Sequence, residues 1–475
     1  MDNKRKIQNL TKNTMLFMIS SFGTKLITFL LIPLYTYVFS TSEYGTVDFM
    51  TTVVQLLIPV LTLNIQEAVL RYGLDMNYVS SEVVQNGFRI IGWSSLFFGM
   101  TEALILFIHP EGVGINYLLF LFFSYLSGSV YNLLSMYLKA VGKVRQLAVC
   151  GILNAALTCI LNIVFLAVFH FGINGYMAAS TAAVFLADLG MLILGNLPSE
   201  LRRMDRMHQK DLLASMLSYS VPLIAGTVGW WLNSAGGRFI LFLYCGSAVN
   251  GIYAASYKIP AVLAVLQDIF YNAWSVSAIE EFDKNDSDGF IGNVYMAYSA
   301  MSVLACSVIM MMNVFLVSFL YSEKFFESWR YAPILLTGTV FSGLLRFLGC
   351  FYLAVRKTKT AALTNVLGAL INIGFCFILI PVMGAYGAAA ATLLGYVSLW
   401  FIRMWSLRSV ISMRVNWKRE GIGCTVLLIQ SVIASVFETS IFQVPFFICI
   451  FLLYFPLIRK GGSRMIQIYM QNISP

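Results

Sequence analysis

Charge is what this chain has least of. Asp, Glu, Lys and Arg together are 11% of 475 residues, while 59% are hydrophobic. Soluble domains carry about 25% charged residues, so a water-soluble fold is excluded. Histidine is scarce too: His109, His170 and His208 lie in different loops or helix ends, and no metal site is expected from them. The eight cysteines are scattered, mostly within apolar runs, with no C-x-x-C pair. That pattern offers neither a zinc or redox motif nor a disulfide framework, and the cysteines read as small buried hydrophobes. No G-x-x-x-x-G-K-[ST] loop is present, which removes P-loop ATP hydrolysis. Nothing in the sequence calls for a catalytic residue or a cofactor.

What the chain has instead is long apolar runs, and its mean hydropathy is +0.78. The runs fall at 15–38, 46–70, 88–108, 115–138, 147–169, 174–197, 214–244, 248–274, 291–320, 331–353, 361–381, 386–407, 421–438 and 443–458. About twenty apolar residues at 1.5 Å each span a ~30 Å hydrocarbon layer. A backbone in lipid must satisfy its own hydrogen bonds, and unbroken runs select helices over alternating barrel strands. The expectation is an all-α polytopic membrane protein of about fourteen transmembrane helices. Asp2 to Asn13 carries Lys4, Arg5, Lys6 and Lys12 and leads into a full-length run, which reads as an uncleaved anchor.

The net charge of +9 is spread over short loops, a pattern of membrane orientation rather than of nucleic-acid binding. With the N-terminus inside, the outside segments hold only Lys324 and Arg330 of the 31 Lys and Arg. Four more, Lys25, Arg238, Lys258 and Arg346, fall within predicted spans, and all the others, Arg403 among them, count as cytoplasmic. Both termini are then cytoplasmic.

An internal repeat divides the chain. Tyr137-Leu138-Lys139-Ala140-Val141-Gly142-Lys143 is followed by Asn154, by Asn162, and by Gly172-Ile173-Asn174-Gly175-Tyr176-Met177-Ala178-Ala179-Ser180. About 211 residues later come Tyr352 to Lys357, Asn365, Asn372 and Gly384-Ala385-Tyr386-Gly387-Ala388-Ala389-Ala390-Ala391-Thr392. Six helices per copy is an even number, so the two copies are parallel repeats about an axis along the membrane normal. The expected lobes are 1–210 (helices 1–6) and 211–410 (helices 7–12). Residues 411–475 add helices 13 and 14 and a tail.

Intramembrane charge marks the candidate sites, because a lysine at mid-depth costs roughly 2.5–3.5 kcal/mol on insertion scales. Lys25 and Lys258 read either as structural ion pairs, with Asp48, Glu67 or Asp268 as partners, or as a cationic site facing a hydrated cavity. Arg238 and Arg346 lie nearer helix ends, where they either snorkel to the interface or join that site. Asp48, Thr52, Gln55, Pro59, Thr62 and Gln66 form one polar stripe, which lines a path or packs on a neighbour. Asp48, Gln55, Glu67 and Asp268 are the candidate cavity-lining or ion-coupling groups. Glu102 and Asp188 are further intramembrane acids. Asp286-Ser287-Asp288 has the form of a sugar-nucleotide Asp-x-Asp but sits in a short polar loop and reads as a helix-capping turn.

The stretch MLFMISSFGTKLITFLLIPLYTYVFSTSEYGTVDF from Met15 to Phe49, with its continuation LLIPVLTLNIQEAVLRYG to Gly73, resembles the start of bacterial polysaccharide-biosynthesis flippases. These are O-antigen or capsule repeat-unit flippases of the multidrug/oligosaccharidyl-lipid/polysaccharide (MOP) exporter superfamily. The two Asn…Gly-x-x-Gly-x-x-Ala-Ala units repeat the resemblance. It implies two six-helix lobes around a V-shaped cavity lined by helices 1, 2, 7 and 8, with two additional C-terminal helices. It also implies a non-enzymatic secondary transporter in the bacterial cytoplasmic membrane. The substrate would be an oligosaccharide on undecaprenyl pyrophosphate, and the partners membrane lipids, a polysaccharide polymerase and chain-length machinery. Lys25, Arg238 and Lys258 fall on three of those helices, which suits an anionic head. A drug–cation antiporter of the same superfamily would favour acidic cavity residues. A lipid II flippase would carry clustered bases that have no close match here. A membrane glycosyltransferase or ligase would need a larger outside loop than the stretch near Tyr321 to Arg330.

Overall fold

The structure, a computed structural model, describes residues 27–471 except 28, 76, 109–113, 198–208, 281, 288 and 356. Among the described residues every regular element is a helix, and twelve helices are long and apolar enough to cross a membrane. Two differences separate this from the fourteen apolar runs. The runs 361–381 and 386–407 count together within Thr360–Leu407, yet they are two helices that meet at Gly384, whose backbone (φ 56°, ψ −128°) no L side chain adopts without strain. They fold back on each other there, with Gly368 against Leu399 and Gly395 against Asn372. The first run, 15–38, is described mainly by its end, Ile32–Val38.

The chain forms two compact units, 1–231 and 232–475. In the first, the Ser40 to Gly45 segment is a helix start rather than a turn. Ser40 Oγ accepts from Glu43 N at 3.2 Å while Ser40 N donates to the Glu43 carboxylate at 2.8 Å, a capping box that opens Thr41–Leu61. That helix stops where Leu63 and Asn64 take positive φ, and resumes as Ile65–Gly73. Pro222 cannot donate a backbone hydrogen bond, and a short 3₁₀ segment, Val221–Leu223, separates Gln209–Ser220 from Ile224–Ser234. The core gathers Ile65, Val69, Val84, Leu133, Tyr137 and Met191.

In the second unit, Gly236–Ser256, Ala332–Ala354 and Thr358–Leu407 pack around Leu241, Tyr253, Leu335, Cys376 and Ala388. The run of small residues from Gly387 to Ala391 lets these helices approach closely. The span Trp417–Val436 is tied in by polar contacts from Phe290–Leu320. Ser299 donates to the Glu420 carboxylate, and Ser307 to Gln430 Oε1 at 2.7 Å.

The repeat noted in the sequence recurs in the backbone. Lys143 (φ −82°, ψ 47°) and Lys357 (φ −88°, ψ 52°) each open a helix, and each N–H reaches back five residues to a carbonyl at 2.8 Å. Gly172 and Gly384 both hold left-handed φ, 57° and 56°, at the reversal that follows.

Candidate functional site

Tyr257 interrupts the predicted run 248–274, and Lys258 begins a new helix, Lys258–Glu280. Pro260, inside the first turn, suits such a start because its missing N–H has no partner to lose there. About two turns further on lie Gln267 and Asp268. Opposite them runs Ala332–Ala354, where Gly343 leaves room for the neighbours: a Cβ there would stand 2.4 Å from Gln267 Nε2 and 2.6 Å from Tyr298 Oη. This close approach brings Arg346 Nη1 onto Asp268 Oδ1 as an ion pair.

The pair sits on an open face. The side chains are 36% and 32% exposed, although Leu344, Leu345, Phe347 and Leu348 beside Arg346 are all buried. Charge does not face lipid cheaply, which sets this pair apart from the apolar residues around it. The Arg346 guanidinium lies 5.8 Å from the centroid of the Tyr271 ring, one turn beyond Asp268. Behind it an aromatic stack stiffens both helices. Trp274 and Phe347 lie 4.4 Å apart at 6°, and Phe270 and Tyr298 lie 4.5 Å apart at 24°.

Arg238, on Gly236–Ser256, places its guanidinium 5.3 Å from the centroid of the Tyr257 ring, beside Lys258. The second unit therefore brings three of the four sequence-selected cations onto neighbouring helices. Asp268 pairs with Arg346, and ten residues, about 15 Å of helix, separate it from Lys258.

Lys25 lies outside the described residues. In the first unit Asp48 and Glu67 are half-buried and Gln55 is exposed. Glu67 occupies the first turn of Ile65–Gly73, where the helix dipole favours an acid. The polar stripe is used partly for packing: Thr52 and Thr62 are buried, and the Thr52 carbonyl accepts from Trp231 Nε1 at 3.0 Å. Gln66 donates to Asn64 Oδ1 at 2.7 Å, and buried Asn64 donates to Thr227 Oγ1 at 3.2 Å. Asp188 is 3% exposed, and neither of its carboxylate oxygens has a hydrogen-bond partner among the described residues.

Arg403, counted with the cytoplasmic residues and not among the candidate site residues, is a buried cation. It is 6% exposed and donates to Leu345 O at 2.7 Å, to Asn365 Oδ1 and to Thr364 Oγ1 at 3.5 Å. Its place in a span was legible in the sequence, since the run 386–407 contains it. Asp286 proves to be a cap. Its carboxylate accepts from Ile291 N (2.9 Å), Gly292 N (3.0 Å) and Arg414 N (3.0 Å), which leaves no role toward a sugar nucleotide. Among the described residues no three His, Cys, Asp or Glu side chains converge as a metal site.

The family model described as polysaccharide biosynthesis protein matches residues 10–271, more than half of the chain. The chain belongs to the polysaccharide biosynthesis protein family. Among solved structures, the lipid II flippase MurJ in an inward closed conformation superposes with a TM-score of 0.71 at 13% identity, covering 94% of this chain and 100% of that one. An outward-facing multidrug resistance MATE family transporter of the MOP superfamily gives 0.59 at 12% identity, covering 85% and 95%. An inward-facing one gives 0.58 at 11% identity, covering 81% and 94%. No curated protein matches the sequence. At these identities the structures define the fold. With the twelve apolar helices they describe a polytopic helical membrane protein of the polysaccharide biosynthesis protein family.

Proposed function

We propose that this protein flips undecaprenyl-pyrophosphate-linked oligosaccharide repeat units across the bacterial cytoplasmic membrane by alternating access, for O-antigen, capsule or exopolysaccharide synthesis. One observation carries the reading. In the candidate spans described between residues 236 and 407, the basic residues are Arg238, Lys258, Arg346 and Arg403, and the acids reduce to Asp268. Desolvating that much positive charge is costly unless an anion shares the space, and a diphosphate head group is such an anion. A drug–cation substrate would need the opposite balance. Lys25, on the first predicted helix, adds a further cation to the same proposal, and Asp48, Gln55 and Glu67 are the polar and coupling candidates of the first lobe. The lobes are 1–210 and 211–410, followed by 411–475. Both termini are cytoplasmic, and a polymerase and chain-length machinery receive the product outside.

The experiment is complementation of a strain lacking its repeat-unit flippase, with surface polysaccharide as the readout and membrane abundance as the control. Lys→Arg at positions 25 and 258 retains some transport, because a diphosphate mainly needs nearby positive charge. Lys25→Ala with Lys258→Ala abolishes transport at normal abundance. Full activity of that double variant overturns the charge mechanism.

A further inference from the structure

Asp268 is unusual among the charged groups of the second unit: it is an acid placed where the substrate's own anion would bind. We propose that Asp268 is an internal counter-anion, which holds Arg346 while the site is empty and hands it to the substrate's diphosphate on binding. The inference rests on the proposed diphosphate substrate and deepens it.

Three features support the exchange. A guanidinium offers the same planar fork to a carboxylate and to a phosphate, so one ligand replaces the other without a new geometry. The pair is about one-third exposed on both sides, and solvent screening weakens an ion pair to that extent, so a doubly charged competitor wins while it is present. The backing is rigid. Gln267 is fully buried against Gly343 and Ser302, Trp274 stacks on Phe347, and the Tyr271 ring flanks Arg346. Exchange therefore needs a rotation of the Asp268 side chain and no movement of the helices. Return of the carboxylate then helps expel the product, which makes Asp268 a determinant of turnover as well as of affinity.

The test uses the full chain in lipid nanodiscs titrated with farnesyl pyrophosphate, with thermal unfolding as the folding control. Asp268→Asn removes the competing charge and binds the probe about tenfold more tightly, the scale of one charge-assisted contact. Asp268→Glu keeps the competitor and stays within about twofold of the native chain. Asp268→Asn combined with Arg346→Ala binds no better than Arg346→Ala alone. In a flipping assay with the lipid-linked oligosaccharide, Asp268→Asn lowers KM and kcat together. If Asp268→Asn does not accumulate, Asp268→Ser carries the same expectation. Unchanged or weaker binding in the folded variant overturns the proposal, as does a gain that survives loss of Arg346. If the native chain and every variant ignore farnesyl pyrophosphate, the diphosphate reading itself falls, and this inference with it.

Discussion

The Arg403 guanidinium donates to the carbonyl of Leu345 at 2.7 Å, one residue before Arg346. A buried cation with only neutral oxygens around it thus fixes the stretch of Ala332–Ala354 that presents the ion-paired arginine. It also grips Asn365, whose own carbonyl accepts from Asn233 Nδ2 at 3.1 Å. The charge at Arg346 is placed by a residue that never touches it.

Arg403→Lys cannot reproduce a three-point fork, and Arg403→Met leaves buried acceptors without donors. We expect each to lower stability by about 2–3 kcal/mol, the scale of an unsatisfied buried polar group. Thermal unfolding in detergent reads this. An unchanged transition would show that the Leu345 and Asn365 contacts carry no stability.

Asp286→Ala removes a cap that serves two chain segments at once and should cost about 1–2 kcal/mol. Nearby, the carboxyl of half-buried Asp283 is held below the ordinary 3.8, first by the Ser287 hydroxyl and then by the Ser287 and Asn285 N–H groups. A depressed acid supports the loop above its unfolded pKa and loses that support as pH falls through the folded value. Hydrogen exchange of residues 283–289 should therefore stay constant from neutral pH down to 3.8 and accelerate, relative to the intrinsic rate, only below it. Acceleration already near pH 6 would contradict the assignment.

Gly172→Ala and Gly384→Ala each place a Cβ on left-handed backbone and should destabilise by about 1–2 kcal/mol. Gly374 is helical with open space around its Cα, so Gly374→Ala should instead stabilise by about 0.5–1 kcal/mol. Parallel thermal melts of the three variants decide it, and equal effects would mean that the two reversals carry no special conformation.

The Ser307–Gln430 contact joins two spans through a donor on each side, since Gln430 Nε2 also reaches Ser307 O at 3.3 Å. A double-mutant cycle with Ser307→Ala and Gln430→Ala should give a coupling of about 0.6–1.7 kcal/mol, the range of interhelical hydrogen bonds in membrane proteins. Zero coupling would remove this contact as the anchor of Trp417–Val436.

Much of this protein was decided by residue order alone. Runs of some twenty apolar residues leave a helix as the available solution in lipid. Gly172 and Gly384 announce the reversals because only glycine occupies that backbone freely. Arg238, Lys258 and Arg346 stood out because charge inside a span is expensive wherever it lies. The tertiary structure decided which partner each charge has. Asp268 is 78 residues from Arg346 along the chain, and no periodicity relates them; they meet because Gly343 admits Gln267 and Tyr298 to the surface of its helix. The burial of Arg403 was not legible because its rotation about the helix axis is not written in the order of residues. That rotation turns it toward Leu345 and Asn365, and it is set by packing, which the order of residues does not display.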